Sequence, residues 1–101
     1  MSTLSTHVLD TATGTPAAGV PIRLETRSGE HLDQGTTDAD GRIGSLGGEL
    51  GNGDYVLHFD IAAYAPGFFP EVVVVFTIAD ERHHHVPLLL SPFGYSTYRG
   101  S

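Results

Sequence analysis

The sequence contains no cysteine, so no disulfide can staple the fold and no thiolate can serve as nucleophile or metal ligand. Lysine is absent too. All five basic residues are arginines, set against 12 Asp and Glu, and the net charge of −7 disfavours nucleic acid and anionic membrane as partners. An anionic ligand would need a local cluster of positive groups to draw it in. No apolar run approaches the roughly 20 residues that cross a bilayer, and Met1–Thr6 lacks the basic start and apolar stretch of a secretory leader. The closing Arg99-Gly100-Ser101 is not the Ser-Lys-Leu peroxisomal signal. A cytoplasmic location without membrane association is therefore expected. Missing as well is any helical apolar period longer than about two turns, which argues against a helical fold.

What remains is a chain of 101 residues, 40% hydrophobic and 17% charged, the make-up of one globular domain over residues 1–101 with one modest core. Further burial has to come from assembly. Short β-branched runs recur between Gly, Pro, Asp and Asn clusters, about eight in all, at the spacing of a two-sheet sandwich. Val20, Ile22 and Leu24 alternate with Arg23 and Glu25, as a half-buried strand should. Asp38-Ala39-Asp40-Gly41 reads as a tight turn feeding Arg42-Ile43. Tyr55–Asp60 is a strand, and Ile61–Tyr64 has room for one helical turn before Pro66-Gly67. The apolar run of Phe68–Ile78 implies cover on both faces, one from the core and the other from a neighbouring subunit or a loop. Pro87, lacking an N–H, is expected at a sheet edge or bulge, and the last strand is a natural second edge.

Three stretches, THVLDTATGTPAAGVPIRLE, TTDADGRIGSL and HHHVPLLLSPFGYSTYRGS, resemble the signature blocks of the 5-hydroxyisourate hydrolases of the transthyretin-like family. The ending YRGS is the most specific. This resemblance implies a prealbumin-like sandwich of two four-stranded sheets with at most one short helix near residues 61–65. It implies dimers through edge strands and a homotetramer with active sites between dimers, working on 5-hydroxyisourate without a cofactor. Carried over position by position, it marks His7, Arg42, His85 and Ser101 as catalytic and Tyr98, Arg99 and Gly100 as substrate-binding. One departure stands out: the segment between Tyr64 and Phe68 is several residues shorter than in the family, which puts the helix in doubt.

The chemistry suits those residue types. Opening a lactam with water needs a base, donors for the developing oxyanion and an acid for the departing nitrogen. Imidazole titrates near neutrality and can act as base or acid, while guanidinium presents a planar fork of donors. Which histidine is the base stays open. Ser101, as the last residue, offers a hydroxyl and a carboxylate, so a C-terminal tag is expected to impair turnover. His83-His84-His85 suggests a metal site, but on a strand only residues 83 and 85 share a face, fewer than the ligands zinc normally takes, so no metal is expected. His84 is assigned to the surface or an interface, and Asp38, Asp40, His31 and His58 to structural roles. Two other functions compete: a carrier of an aromatic ligand in the manner of transthyretin, and a prealbumin-like structural module, which should be a monomer.

Overall fold

A computed structural model describes residues 1–101 as nine strands and no helix. These are β1 (Leu4–Asp10), β2 (Thr15–Pro16), β3 (Pro21–Thr26), β4 (His31–Thr36), β5 (Arg42–Ile43), β6 (Gly53–Asp60), β7 (Glu71–Ile78), β8 (His84–Ser91) and β9 (Gly94–Thr97). One sheet runs β4-β3-β6-β7, four strands as expected. The other runs β2-β1-β8-β9, and the two-residue β5 pairs with β1 as a fifth member. Every neighbouring pair is antiparallel except β1 and β8, which run parallel from Leu4 opposite His84 to Asp10 opposite Leu90.

The core follows from alternation. Leu4, Thr6 and Val8 of β1, Ile22 and Leu24 of β3, Leu57 and Phe59 of β6, and Val86, Leu88 and Leu90 of β8 all turn inward and are buried. Full burial of a Leu or Phe side chain stabilises the fold by about 1.5–3 kcal/mol. Thr6 is the polar member of this set, and its hydroxyl donates to the Val86 carbonyl at 2.7 Å, so its burial leaves no unmet donor. The alternate residues Ser5 and His7 of β1, and His85 and Pro87 of β8, therefore belong to the outer face of the five-stranded sheet.

Two local expectations change. Pro87 lies in β8, an interior strand, rather than at an edge. The β8–β9 register pairs Leu88 with Thr97, and the isolated bridge of His85 with Gly100 continues it, so Pro87 falls opposite Tyr98 where the ladder breaks. The register would call for a Pro87 N–H bond to Tyr98, and the proline, having none to give, interrupts the β8–β9 ladder at that point. His84 is buried rather than superficial, since the alternation that sends His83 and His85 outward sends it in. Its Nδ1 donates to the Arg82 carbonyl at 2.8 Å. Within the chain, β7 is covered by the core on one side: Val72 and Ile78 are buried, while Val73 and Val75 stand about half exposed. Residues Ile61–Ala65 form a single turn closed by Ala65 N–H to Ile61 O at 2.9 Å, and Pro66 ends it.

Candidate active site

The outer face of the five-stranded sheet receives its side chains from three strands. In register, His7 of β1 lies directly across from Arg42 of β5 on one side and Pro87 of β8 on the other. Ser5 lies across from His85. Directly opposed residues share a face, so His7, Arg42 and His85 project together, with His7 and His85 diagonal neighbours across the β1–β8 pair. Residues whose first and last members are far apart in sequence thus meet because β1 and β8 are adjacent.

Arg42 is delivered by the turn before it. Asp38 Oδ1 accepts from the Asp40 N–H at 2.9 Å and the Arg42 N–H at 3.0 Å, an Asx turn, so Asp38 is structural as expected. Gly41 has φ +74°, and a Cβ there would lie within 2.4 Å of the Val8 carbonyl oxygen. Only glycine lets the turn press this closely against β1. Thr37 anchors the other end: its buried hydroxyl accepts from Val20 N–H at 2.9 Å and donates to Ala17 O at 2.7 Å.

The electrostatics of the face are unusual for so acidic a chain. Arg23, Arg27, Arg82 and Arg99 each pair with a carboxylate, whereas the Arg42 guanidinium has no acidic or hydrogen-bonding partner. His7 Nε2 is buried and unpartnered. Buried polar atoms in folded chains are normally satisfied, so an orphan here marks a place for a ligand, water or another chain. His85 is held below the ordinary imidazole range, first by burial and then by the positive charge of Arg42, His7 and His83. It is thus neutral at pH 7 and able to accept a proton. Its Nδ1 is 2.7 Å from Ser5 Oγ, and its Nε2 makes no hydrogen bond.

The C-terminal residues divide. Gly100 N–H donates to the His85 carbonyl at 2.8 Å, and a Cβ on Gly100 would lie within 2.5 Å of the His85 ring, so glycine lets the chain lie flat against the imidazole. Tyr98 is exposed opposite Pro87, and Ser101 is exposed without a hydrogen bond. Arg99 goes elsewhere: its Nη2 lies 3.5 Å from Asp80 Oδ2 and 3.4 Å from His84 Nε2, at the inner rim of the sandwich. Hydrogen bonds from Arg82, supplemented by Arg99, lower the Asp80 carboxyl to about 2. The structure therefore brings His7, Arg42, His85 and Gly100 together and leaves the Arg99 side chain apart. No three His, Asp or Glu side chains converge as metal ligands. None of the three main hollows of the chain is lined by both His7 and Arg42, so this face is open on a single chain. Sequence reading passed over Ser5, although its two-residue spacing from His7 is the signal that puts both on one face.

Known proteins resemble this chain in sequence and in fold. The model of the HIUase/Transthyretin family matches residues 4–100. The 5-hydroxyisourate hydrolase of Caulobacter vibrioides is 47% identical over 115 residues covering all of both chains, and that of Mus musculus 44% over 113 residues covering 99% and 96%. Both alignments are longer than this chain, so those relatives carry residues without a counterpart here. Among solved structures, the 5-hydroxyisourate hydrolase of Klebsiella pneumoniae superposes with a TM-score of 0.91 at 42% identity over all of both chains. Sea bream transthyretin in complex with thyroxine superposes at 0.86 with 35% identity, covering 96% and 93%.

Proposed function

The chain belongs to the HIUase/transthyretin family, and from that premise we propose that its outer sheet face hydrolyses 5-hydroxyisourate to 2-oxo-4-hydroxy-4-carboxy-5-ureidoimidazoline in urate degradation. It is a hydrolase. The observation that carries the mechanism is the joint presence on one face of an unpaired guanidinium, an imidazole with a buried unpartnered nitrogen and a second imidazole held neutral. Neutral His85 takes the proton from water as it attacks the lactam carbonyl. Arg42 receives the negative charge that develops on the carbonyl oxygen, where a preorganised donor is worth about 10²–10³ in rate. His7, directly across from Arg42, shares in the proton transfers. The same imidazole pair supplies the proton for the departing ring nitrogen. Gly100 holds the end of the chain against His85, and Tyr98 and Ser101 flank the substrate. Arg99 acts from behind, fixing this segment through Asp80 and His84.

The open face is completed by other copies of the chain. A homotetramer built as a dimer of dimers would set two such faces opposite each other and give the site its walls, and the unpaired edges of β7 and β9 suit strand pairing between subunits. The working protein is taken to be cytoplasmic. Ultraviolet absorbance of freshly generated 5-hydroxyisourate gives the direct test. Micromolar protein is expected to speed its decay well beyond the spontaneous rate, and no acceleration would reject the assignment.

A further inference from the structure

Behind His85, on the side away from the proposed substrate position, four polar groups form an unbroken hydrogen-bonded row. Thr3 Oγ1 is 2.6 Å from His83 Nδ1, His83 Nε2 is 2.7 Å from Ser5 Oγ, and Ser5 Oγ is 2.7 Å from His85 Nδ1. The row starts at the solvent, since His83 and Thr3 are exposed, and ends at the partly buried His85. Its members come from the start of β1 and the approach to β8, and the parallel β1–β8 register aligns them.

A serine hydroxyl carries one proton and so can donate to only one of two imidazoles at a time. If His85 bears its proton on Nδ1, it donates to Ser5, Ser5 donates to His83 Nε2, and His83 donates to Thr3 from Nδ1. If the row runs the other way, His83 donates to Ser5, Ser5 donates to His85 Nδ1, and the His85 proton sits on Nε2. The direction of the row therefore dictates the tautomer of His85. One direction leaves Nε2 a lone pair, as a base requires; the other puts a proton there, as an acid requires.

We propose that Ser5 and His83 are positioning residues that switch His85 between base and acid by passing a proton to and from solvent. The proposal rests on the hydrolase reading given above. In the first half, water loses a proton to His85 Nε2 as its oxygen bonds to the lactam carbon. The Nδ1 proton of His85 moves to Ser5 as the Ser5 proton moves to His83 Nε2, and His83 releases its Nδ1 proton to solvent. His85 is then neutral with its proton on Nε2. In the second half the carbon–nitrogen bond breaks, the departing nitrogen takes that proton, and the row runs back: Ser5 returns a proton to His85 Nδ1, His83 supplies Ser5, and solvent reloads His83. The new carboxyl group ionises in water, which accounts for the one proton released overall. Groups facing His85 from the packed elements are Ser5 and His7 on β1, Arg42 on β5, His83 and the Gly100–Ser101 end, and no Asp or Glu side chain is hydrogen-bonded to it.

Steady-state kinetics of Ser5→Ala, Ser5→Thr and His83→Gln, each checked for an intact fold by circular dichroism, test this. Ser5→Ala should lower kcat at least about tenfold, within the span typical of proton-transfer groups, with KM within about twofold. Ser5→Thr keeps the hydroxyl and should recover most of kcat. His83→Gln, at an exposed position, should lower kcat and regain rate with added imidazole buffer, and its pH profile should differ from that of the parent. A merely structural role for Ser5 would produce neither hydroxyl-dependent recovery nor buffer rescue at position 83. Parent-like kcat in both Ser5→Ala and His83→Gln would overturn the proposal while leaving the hydrolase reading intact. An inactive parent chain would reject that reading itself.

Discussion

At the scale of single residues, the proposed site depends on one charge left without a partner, one imidazole held neutral and one close approach. Arg42 is the arginine without a carboxylate, and its replacement by Ala should lower kcat/KM by about 10²–10³, the cost of losing one preorganised oxyanion donor. Arg42→Lys should recover only part, because an ammonium offers no planar fork. Equal rates for the parent and both variants would refute the role. Gly100→Ala places a methyl group where the His85 ring already lies, so turnover should fall at least about tenfold, a 1.4 kcal/mol rise in the barrier or more. Its melting temperature should stay close to that of the parent, since the residue sits beyond the last strand. His85 also sets a pH limb. Its pKa in the fold is lowered from the ordinary 6.5, so the base form persists below that value, and the acid-side fall in kcat/KM should have its inflection below 6.5. In the stability of the fold, the sign is the same. The unfolded chain binds the His85 proton more readily, so this residue's contribution is present above pH 6.5 and is lost as pH falls toward the folded pKa. An inflection above 6.5 would contradict the assignment of His85 as base.

Strands and turns bring these residues together, and here local pattern and tertiary context part company. The alternation of β3, the strand at Tyr55–Asp60, the tight turn at Asp38 and the stop at Pro66 were all readable from the sequence, because each is decided by residues within a few positions of one another. Pro87 and His84 were not, since their environment depends on which strand lies alongside β8 and where β9 stops, facts settled some ten or more residues away. For the same reason His7, Arg42 and His85 could be named only through their resemblance to a family. No spacing in the chain announces that β1 and β8 will be neighbours. Gly41 ties turn chemistry to the site. A Gly41→Ala change imposes a strained φ and a clash with the Val8 carbonyl, and should destabilise the fold by about 1–3 kcal/mol in denaturant titration. Because Arg42 follows directly, activity of the remaining folded protein should fall as well. An unchanged denaturation midpoint would show that the turn has room the geometry does not reveal.

For the whole molecule, an acidic chain of 10.7 kDa carries its free cation on an open sheet face and leaves Val73 and Val75 half exposed. Assembly is the natural completion of both. If the tetramer proposed above is the working form, sedimentation should give about four times the chain mass, and specific activity should drop on dilution over the same concentration range in which the tetramer dissociates. A fully active monomer would exclude a site that needs walls from a second subunit. The sea bream transthyretin likeness shows how little the fold itself decides: the same sandwich holds thyroxine in that protein, and the site proposed above rests instead on the polar groups at positions 7, 42 and 85.

The parallel pairing of β1 with β8 also dictates when the site can come into being. A ribosome exposes His7 and Arg42 early in synthesis, but the Ser5–His85 contact spans 80 positions, so the nascent chain can form no part of the histidine pair until β8 has emerged. Closing so long a loop before any contact rewards it is slow, and topologies dominated by such pairings typically fold in milliseconds to seconds. The proposed histidine pair is thus assembled late, only once β8 has joined β1.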